Sequence, residues 1–212
     1  MPSITVEGII LKRSNFGEAD RMITILTKTL GKISVIARGV RRITSRRAGN
    51  VELLNLVRIG LHKGKGYTLT EAESIETFPR IKSNLALSTA GFHILELANK
   101  LLPEDDPNFR AYDLIVETLR KLEENPRQLL VRAFEIRILS LLGFFSTRAL
   151  PGMNQSTKDL INLLNQTPFS KIETMDVASD QVMALERILR YYIEQILESK
   201  LKSSDVMKQL KK

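Results

Sequence analysis

Met22-Ile23-Thr24-Ile25-Leu26-Thr27-Lys28-Thr29-Leu30-Gly31-Lys32-Ile33-Ser34-Val35-Ile36-Ala37 spells out a β-hairpin in residue order. Met22, Thr24 and Leu26 alternate with Arg21, Ile23 and Ile25, which is the period of a strand with one buried face. Leu30-Gly31-Lys32 makes the turn, and Ile33, Val35 and Ala37 carry a third strand. Upstream, Ile4, Val6, Gly8 and Ile10 alternate with Thr5, Glu7, Ile9 and Leu11 until Lys12-Arg13-Ser14-Asn15 ends the run. Downstream, Val51 to His62 reads as a fourth strand. Lys63-Gly64-Lys65-Gly66 turns it into a fifth, Tyr67 to Glu73. Five short strands joined by tight turns predict a small antiparallel barrel or sandwich. A barrel has the advantage of hiding the sheet edges.

After Phe78-Pro79 the apolar period becomes helical. Ile94, Leu97 or Ala98, and Leu101 share one face of a helix over about 81–102. Asp106-Pro107 supplies a start signal for a helix with Tyr112, Ile115, Leu119 and Leu122 on its stripe, and Asn125-Pro126 repeats that signal. Val131, Phe134, Ile138, Leu141 and Phe145 follow at three- and four-residue spacing. Residues 146–155 read as a connector, and Ser156-Thr157-Lys158-Asp159 resembles a capping box. Leu185, Ile188 or Leu189, Tyr192 and Ile196 mark a last helix over about 179–200, with a polar tail from Ser203 that can fray. The chain is thus predicted to be α+β, with a strand domain at 1–79 and an all-helical domain at 80–212.

Composition narrows the function. At 212 residues, 43% hydrophobic and 26% charged, the chain has material for a sizeable core. Its net charge of +8 is unevenly spread. From Lys12 to Lys65, 13 Lys and Arg face three acids (Glu18, Asp20, Glu52), and the rest of the chain carries a small net negative charge. The N-terminal third therefore reads as a polyanion-binding module. There is no cysteine, which excludes disulfides, thiolate metal sites and cysteine nucleophiles. No signal peptide or membrane-length apolar run is present, so a cytoplasmic location is expected.

No phosphate loop and no strand-linked Gly-x-Gly-x-x-Gly occurs. Asp105-Asp106 and Glu123-Glu124 stand beside helix starts, where acids complement the dipole. His62 and His93 have no evident carboxylate or serine companion and read as structural. Nothing assembles into a nucleophile, base or metal set, so the chain is read as a non-enzyme that needs no cofactor.

The positive signal is Ala37-Arg38-Gly39-Val40-Arg41-Arg42-Ile43-Thr44-Ser45-Arg46-Arg47, with five arginines and no acid. A guanidinium is always charged and offers a fork of donors that matches phosphate oxygens. The plain alternative is a solvated basic loop, its side chains free of packing constraints. Lys12, Arg13, Arg21, Lys28, Lys32, Arg58, Lys63 and Lys65 weigh against that, since a small barrel folds them into one module. With only Phe16, Tyr67 and Phe78 as aromatics in the first 80 residues, no dedicated base-stacking platform is expected. Binding is then electrostatic, and four or five phosphate contacts predict a log–log salt slope of roughly −3 to −4.5. An anionic membrane is the weaker partner, because no amphipathic anchor accompanies the charges. Arg127, Arg132 and Arg137 are read as a solvated helix face, open to an acidic peptide.

Several blocks resemble one family. Gly8-Ile9-Ile10-Leu11-Lys12-Arg13, Phe16-Gly17-Glu18-Ala19-Asp20-Arg21, Thr24-Ile25-Leu26-Thr27 and Gly31-Lys32-Ile33-Ser34-Val35-Ile36-Ala37-Arg38-Gly39-Val40-Arg41-Arg42 are similar to the N-terminus of the bacterial recombination mediator RecO family. Phe134 to Phe144 resembles its central helix, and Leu201-Lys202-Ser203 fits the end of its final one. The resemblance implies an N-terminal five-stranded OB-fold barrel, a helical C-terminal domain and a non-catalytic role in DNA recombination and repair. It implies binding to single- and double-stranded DNA and annealing of complementary strands. It also implies contact with the acidic C-terminal tail of single-stranded-DNA-binding protein, and loading of RecA together with RecR. The family's basic surface maps onto Arg13, Arg21, Lys32, Arg38, Arg41 and Arg42, and charge alone adds Arg46 and Arg47. The family's four-cysteine zinc element has no counterpart in a chain without cysteine. An RNA-binding OB-fold module and a basic protein-interaction scaffold remain as alternatives.

Overall fold

The computed structural model describes residues 3–145, 153–198, 201 and 203. Residues 146–152, the greater part of the connector expected at 146–155, lie outside them, as does the tail from 204 onward. Two compact units are formed: Met1–Pro79 with Leu95–Val116, and Arg80–Ile94 with Glu117–Lys212.

Five strands build the first unit: β1 (Ser3–Phe16), β2 (Asp20–Thr27), β3 (Gly31–Ala37), β4 (Leu56–Lys63) and β5 (Tyr67–Glu76). They close into a barrel in the order β1-β2-β3-β5-β4, with β1 pairing β4 and only β3–β5 parallel. This is the five-stranded OB-fold arrangement, and it settles the choice between barrel and sandwich. The alternation seen in sequence fills it: Val6, Ile10, Ile23, Ile25, Ile33, Val35, Val57, Ile59, Leu61 and Leu69 form one interior cluster. Long β1 serves two partners, and its register slips between Ile10 and Lys12. Such a bulge sharpens the local twist and helps a short sheet curl shut.

The β2–β3 turn needs its glycine twice over. Gly31 has φ +73°, and a Cβ there would lie 2.5 Å from the Asp106 carbonyl group. Its neighbour Lys32 is buried, donates from Nζ to the Asn99 carbonyl at 2.7 Å, and accepts the Asp105 amide on its own carbonyl at 2.9 Å. On the outer face, the Tyr112 hydroxyl donates to Glu7 Oε1 at 2.8 Å.

The fourth strand starts five residues later than expected. Leu54 takes a left-handed φ of +70°, which an extended chain cannot carry. The Asn55 amide side chain instead ties back to the Gly49 and Asn50 carbonyls at 3.0 Å each. Residues 38–55 are therefore one long shaped loop.

The helices are α1 (Pro79–Ser83), α2 (Leu85–Leu101), α3 (Phe109–Glu124), α4 (Gln128–Leu141), α5 (Gln155–Gln166), α6 (Phe169–Ile172) and α7 (Ser179–Leu197). Asn84 interrupts the expected first helix and caps α2, its Oδ1 accepting the Leu87 amide at 3.1 Å. Caps fall beside the expected ones: Asn108 rather than Asp106 accepts the Ala111 amide, and Asn154 accepts the Thr157 amide. In α7 the buried stripe is Leu185, Leu189 and Ile193, turned slightly from the expected face.

Helix α4 departs most from expectation. Residues Leu129 to Ile136 are all buried, because α5, α6 and α7 pack around it. Its arginines are consequently not a solvated face. Arg132 Nη1 pairs with Glu135 Oε2 at 3.1 Å, both side chains being buried. Arg137 donates to the Leu164 and Thr167 carbonyls and lies 4.1 Å over the Phe169 ring; burial pulls its guanidinium below the usual arginine range, with Glu117 opposing. Arg127 donates to the Glu173 carbonyl. His93 has the companions its sequence context hides: Glu135 Oε1 at 2.6 Å on Nε2 and the Ser203 hydroxyl at 3.1 Å from Nδ1.

Candidate nucleic-acid interface

The loop between β3 and β4 is packed, contrary to the picture of an unconstrained basic run. Val40 and Val51 sit inside the barrel cluster, at 1% and 0% exposure, and hold both ends of the loop down. Gly39, at φ +65°, reverses the chain after β3, and its amide donates to Asp20 Oδ1 at 2.7 Å. The Arg41 amide donates to the Ala19 carbonyl at 2.9 Å, and its Nη1 to the Gly17 carbonyl at 3.1 Å. These bonds fasten the loop to the β1–β2 turn. At the other side, Asn50 Nδ2 donates to the Ala72 carbonyl at 2.8 Å, while Oδ1 accepts the Ser74 hydroxyl at 2.9 Å.

Arg47 is the principal brace. Its Nη1 donates to the Leu69 and Thr70 carbonyls at 3.1 and 3.2 Å, and its Nη2 to the Arg38 carbonyl at 2.9 Å. A planar fork with fixed donors spans three carbonyls in a way an ammonium does not. Among the described residues, the exposed guanidiniums of Arg38, Arg42 and Arg46 make neither ion pair nor hydrogen bond. They line a shallow depression of about 580 Å³ with Asp20, whose Oδ1 already accepts the Gly39 amide. The depression is therefore strongly cationic and ringed by donors that have no partner in the protein.

Arg13 and Arg21 reach the same end of the barrel, since Arg21 pairs in register with Ala37 and Arg13 lies diagonally across β1–β2. Both are occupied by one loop carboxylate: Glu52 pairs with Arg13 and, at 3.4 Å, with Arg21. Lys32 is placed apart, at the start of β3, where burial lowers its ammonium below the usual lysine value and Glu104 partly offsets this. Lys63 ends β4 and Lys65 lies in the β4–β5 turn, beside Thr29, Leu30 and Glu104. Arg58 pairs with Glu73 at 3.3 Å. Of the eight cations singled out from sequence, seven gather around one loop, and three of these are uncommitted.

Asp20, Asn50 and Glu52 escape a search for positive charge because they position the loop and carry none themselves. The signal was present all the same: Asp20 and Glu52 are two of the three acids in the basic module. No three His, Cys, Asp or Glu side chains among the described residues are grouped to hold a metal ion. The family's zinc element does not fit this chain, which has no thiolate to offer.

The protein is thus of the OB-fold class, a closed five-stranded barrel with an arginine loop braced at its rim. The comparisons give the lineage. Residues 1–78 match the family description "Recombination protein O N terminal", and residues 82–147 match "Recombination protein O C terminal". The chain belongs to the RecO family. It is 38% identical over 147 residues to the DNA repair protein RecO of Acetivibrio thermocellus, covering 68% of this chain and 59% of that protein. It is 37% identical over 140 residues to that of Roseiflexus sp., covering 65% and 49%. Across 231 residues it is 27% identical to that of Pelotomaculum thermopropionicum, covering 93% and 90%. The first two matches thus span about half to three fifths of their relatives' own length.

Proposed function

We propose that this chain is a non-catalytic, backbone-gripping module of DNA repair and recombination, with the barrel at 1–79 as its nucleic-acid-binding domain. The observation that carries the reading is the set of three unpartnered guanidiniums, Arg38, Arg42 and Arg46, on a loop held rigid by Arg41, Arg47 and Asn50. Preorganised forks meet phosphate oxygens without the cost of ordering a floppy loop. The grip is indifferent to sequence, as annealing requires, because phosphates carry no base identity. Two strands held on cations repel each other less and pair more readily. Family kinship extends the proposal to strand annealing on coated single strands, to docking on the acidic tail of single-stranded-DNA-binding protein, and to work with RecR in loading RecA.

The test is fluorescence anisotropy on a single-stranded DNA oligomer across a salt series, with Arg38, Arg42 and Arg46 each changed to Gln. Removing three phosphate contacts should flatten the log–log slope by about 2. The companion assay follows annealing of complementary oligomers, bare and coated. An unchanged slope in the triple variant, or no acceleration on either substrate, refutes the reading. Matched RNA oligomers in competition decide whether the preference is for DNA.

A further inference from the structure

We infer that Ile43 and Phe16 form an apolar contact point beside the arginine grip, which inserts against the unpaired bases of a strand whose phosphates the arginines hold. This rests on the proposed backbone reading and adds a contact of opposite chemistry to it. Ile43 lies between Arg42 and Arg46 and is 105% exposed, so its side chain packs on nothing in the fold. Phe16, 48% exposed, ends β1 beside the turn whose Gly17 and Ala19 carbonyls accept from Arg41. Two large apolar side chains thus stand on turns that are hydrogen-bonded to one another, amid cations that favour a partner combining apolar surface with negative charge.

Nucleic acid alone among common polyanions alternates anionic phosphate with flat apolar rings at a fixed short repeat. A strand seated on Arg38, Arg42 and Arg46 must turn its bases somewhere, and Ile43, between Arg42 and Arg46 in the loop, offers an exposed apolar side chain next to that seat. Aliphatic side chains wedge between base steps, and aromatic rings stack on single bases without reading sequence. Such a wedge would hold neighbouring bases unstacked, with their pairing edges open to a complementary strand. Ile43 has no barrel role to lose, since it lies wholly outside the core. Phe16 is half-buried and ends β1 opposite Asp20, so the stability of F16S is measured beside its binding.

The experiment compares a thymidine oligomer with an abasic phosphodiester oligomer of the same length, using the full chain and its I43S, F16S and R38Q/R42Q variants. The intact protein should favour the base-bearing strand about tenfold, and I43S and F16S should each remove roughly fivefold or more of its affinity. Their salt slope should stay unchanged, since no phosphate contact is lost. Equal binding of both oligomers by the intact protein overturns the inference, as does a base preference that is undiminished in I43S and in F16S. If R38Q/R42Q weakens both oligomers while I43S weakens neither, the grip stands and the wedge falls. If R38Q/R42Q leaves affinity and slope untouched, the backbone reading itself has failed and the inference with it. Anionic phosphatidylserine vesicles serve as the last arm: capture that depends on Ile43, with oligomer binding unaffected, would assign the loop to a membrane and overturn the inference.

Discussion

Replacing Arg47 by Lys keeps the charge and removes the fork, which separates bracing from binding. Of the three carbonyl bonds that Arg47 makes, the one to Leu69 is partly buried and those to Thr70 and Arg38 are exposed. A partly buried bond contributes about 1 kcal/mol net and each solvated one a few tenths, so the clip is worth about 1.5 kcal/mol. Arg47→Lys should then lower the melting temperature by about 3–6 °C for a chain of this size. The Arg42 and Ser45 amides, bonded to Gly39 and Arg42 within the loop, should exchange with solvent faster. Ordering the loaded loop now costs binding energy, so affinity for a single-stranded oligomer should fall about tenfold at constant salt. The salt slope should not change, because the net charge is unchanged. Differential scanning fluorimetry, hydrogen exchange and an anisotropy salt series measure the three quantities. A flattened slope with unaltered exchange would mean that Arg47 acts as a phosphate ligand, and the bracing argument would be wrong.

Three other perturbations test the same frame. Glu52→Gln frees both Arg13 and Arg21; oligomer affinity at low salt should rise a few-fold and the slope steepen by about 1, with a stability loss under about 1 kcal/mol. Gly31→Ala forces a left-handed alanine against the Asp106 backbone and should destabilise the chain by about 2–4 kcal/mol in urea titration. Glu135→Ala strands the buried Arg132 guanidinium and His93 together, which should cost about 3–5 kcal/mol by the same measurement, and Glu135→Gln markedly less.

The barrel was legible because its signal is local: Ile23, Ile25, Ile33 and Val35 announce which face is inward without reference to anything distant. The start of β4 was not, since Val51 and Leu54 are as apolar as a strand requires and only the left-handed turn at Leu54 separates them from it. The arginine run was visible as charge, but its division into free and committed side chains was not. Arg47 is satisfied by carbonyls of Leu69 and Thr70, and a backbone acceptor leaves no mark in a sequence. The α4 arginines misled for a related reason. A polar residue on a helix suggests solvent, yet α5 to α7 surround that helix, the Leu164 carbonyl of α5 receives Arg137, and Glu135 within α4 itself pairs with the buried Arg132. His93 finds its carboxylate 42 residues away, across a fold that spacing cannot reveal.

The clip carbonyls of β5 also impose an order of events on a nascent chain. Synthesis delivers β1 to β3 and the whole arginine run before Leu69 and Thr70 have emerged, so the cations exist well before their brace does. The β1–β4 seam likewise joins residues some fifty positions apart, a long-range closure of the kind that forms late. A partly made or truncated barrel therefore displays the full charge of the loop without its shape. It would cling to any polyanion loosely, and only completion of the last strand converts that stickiness into a defined grip.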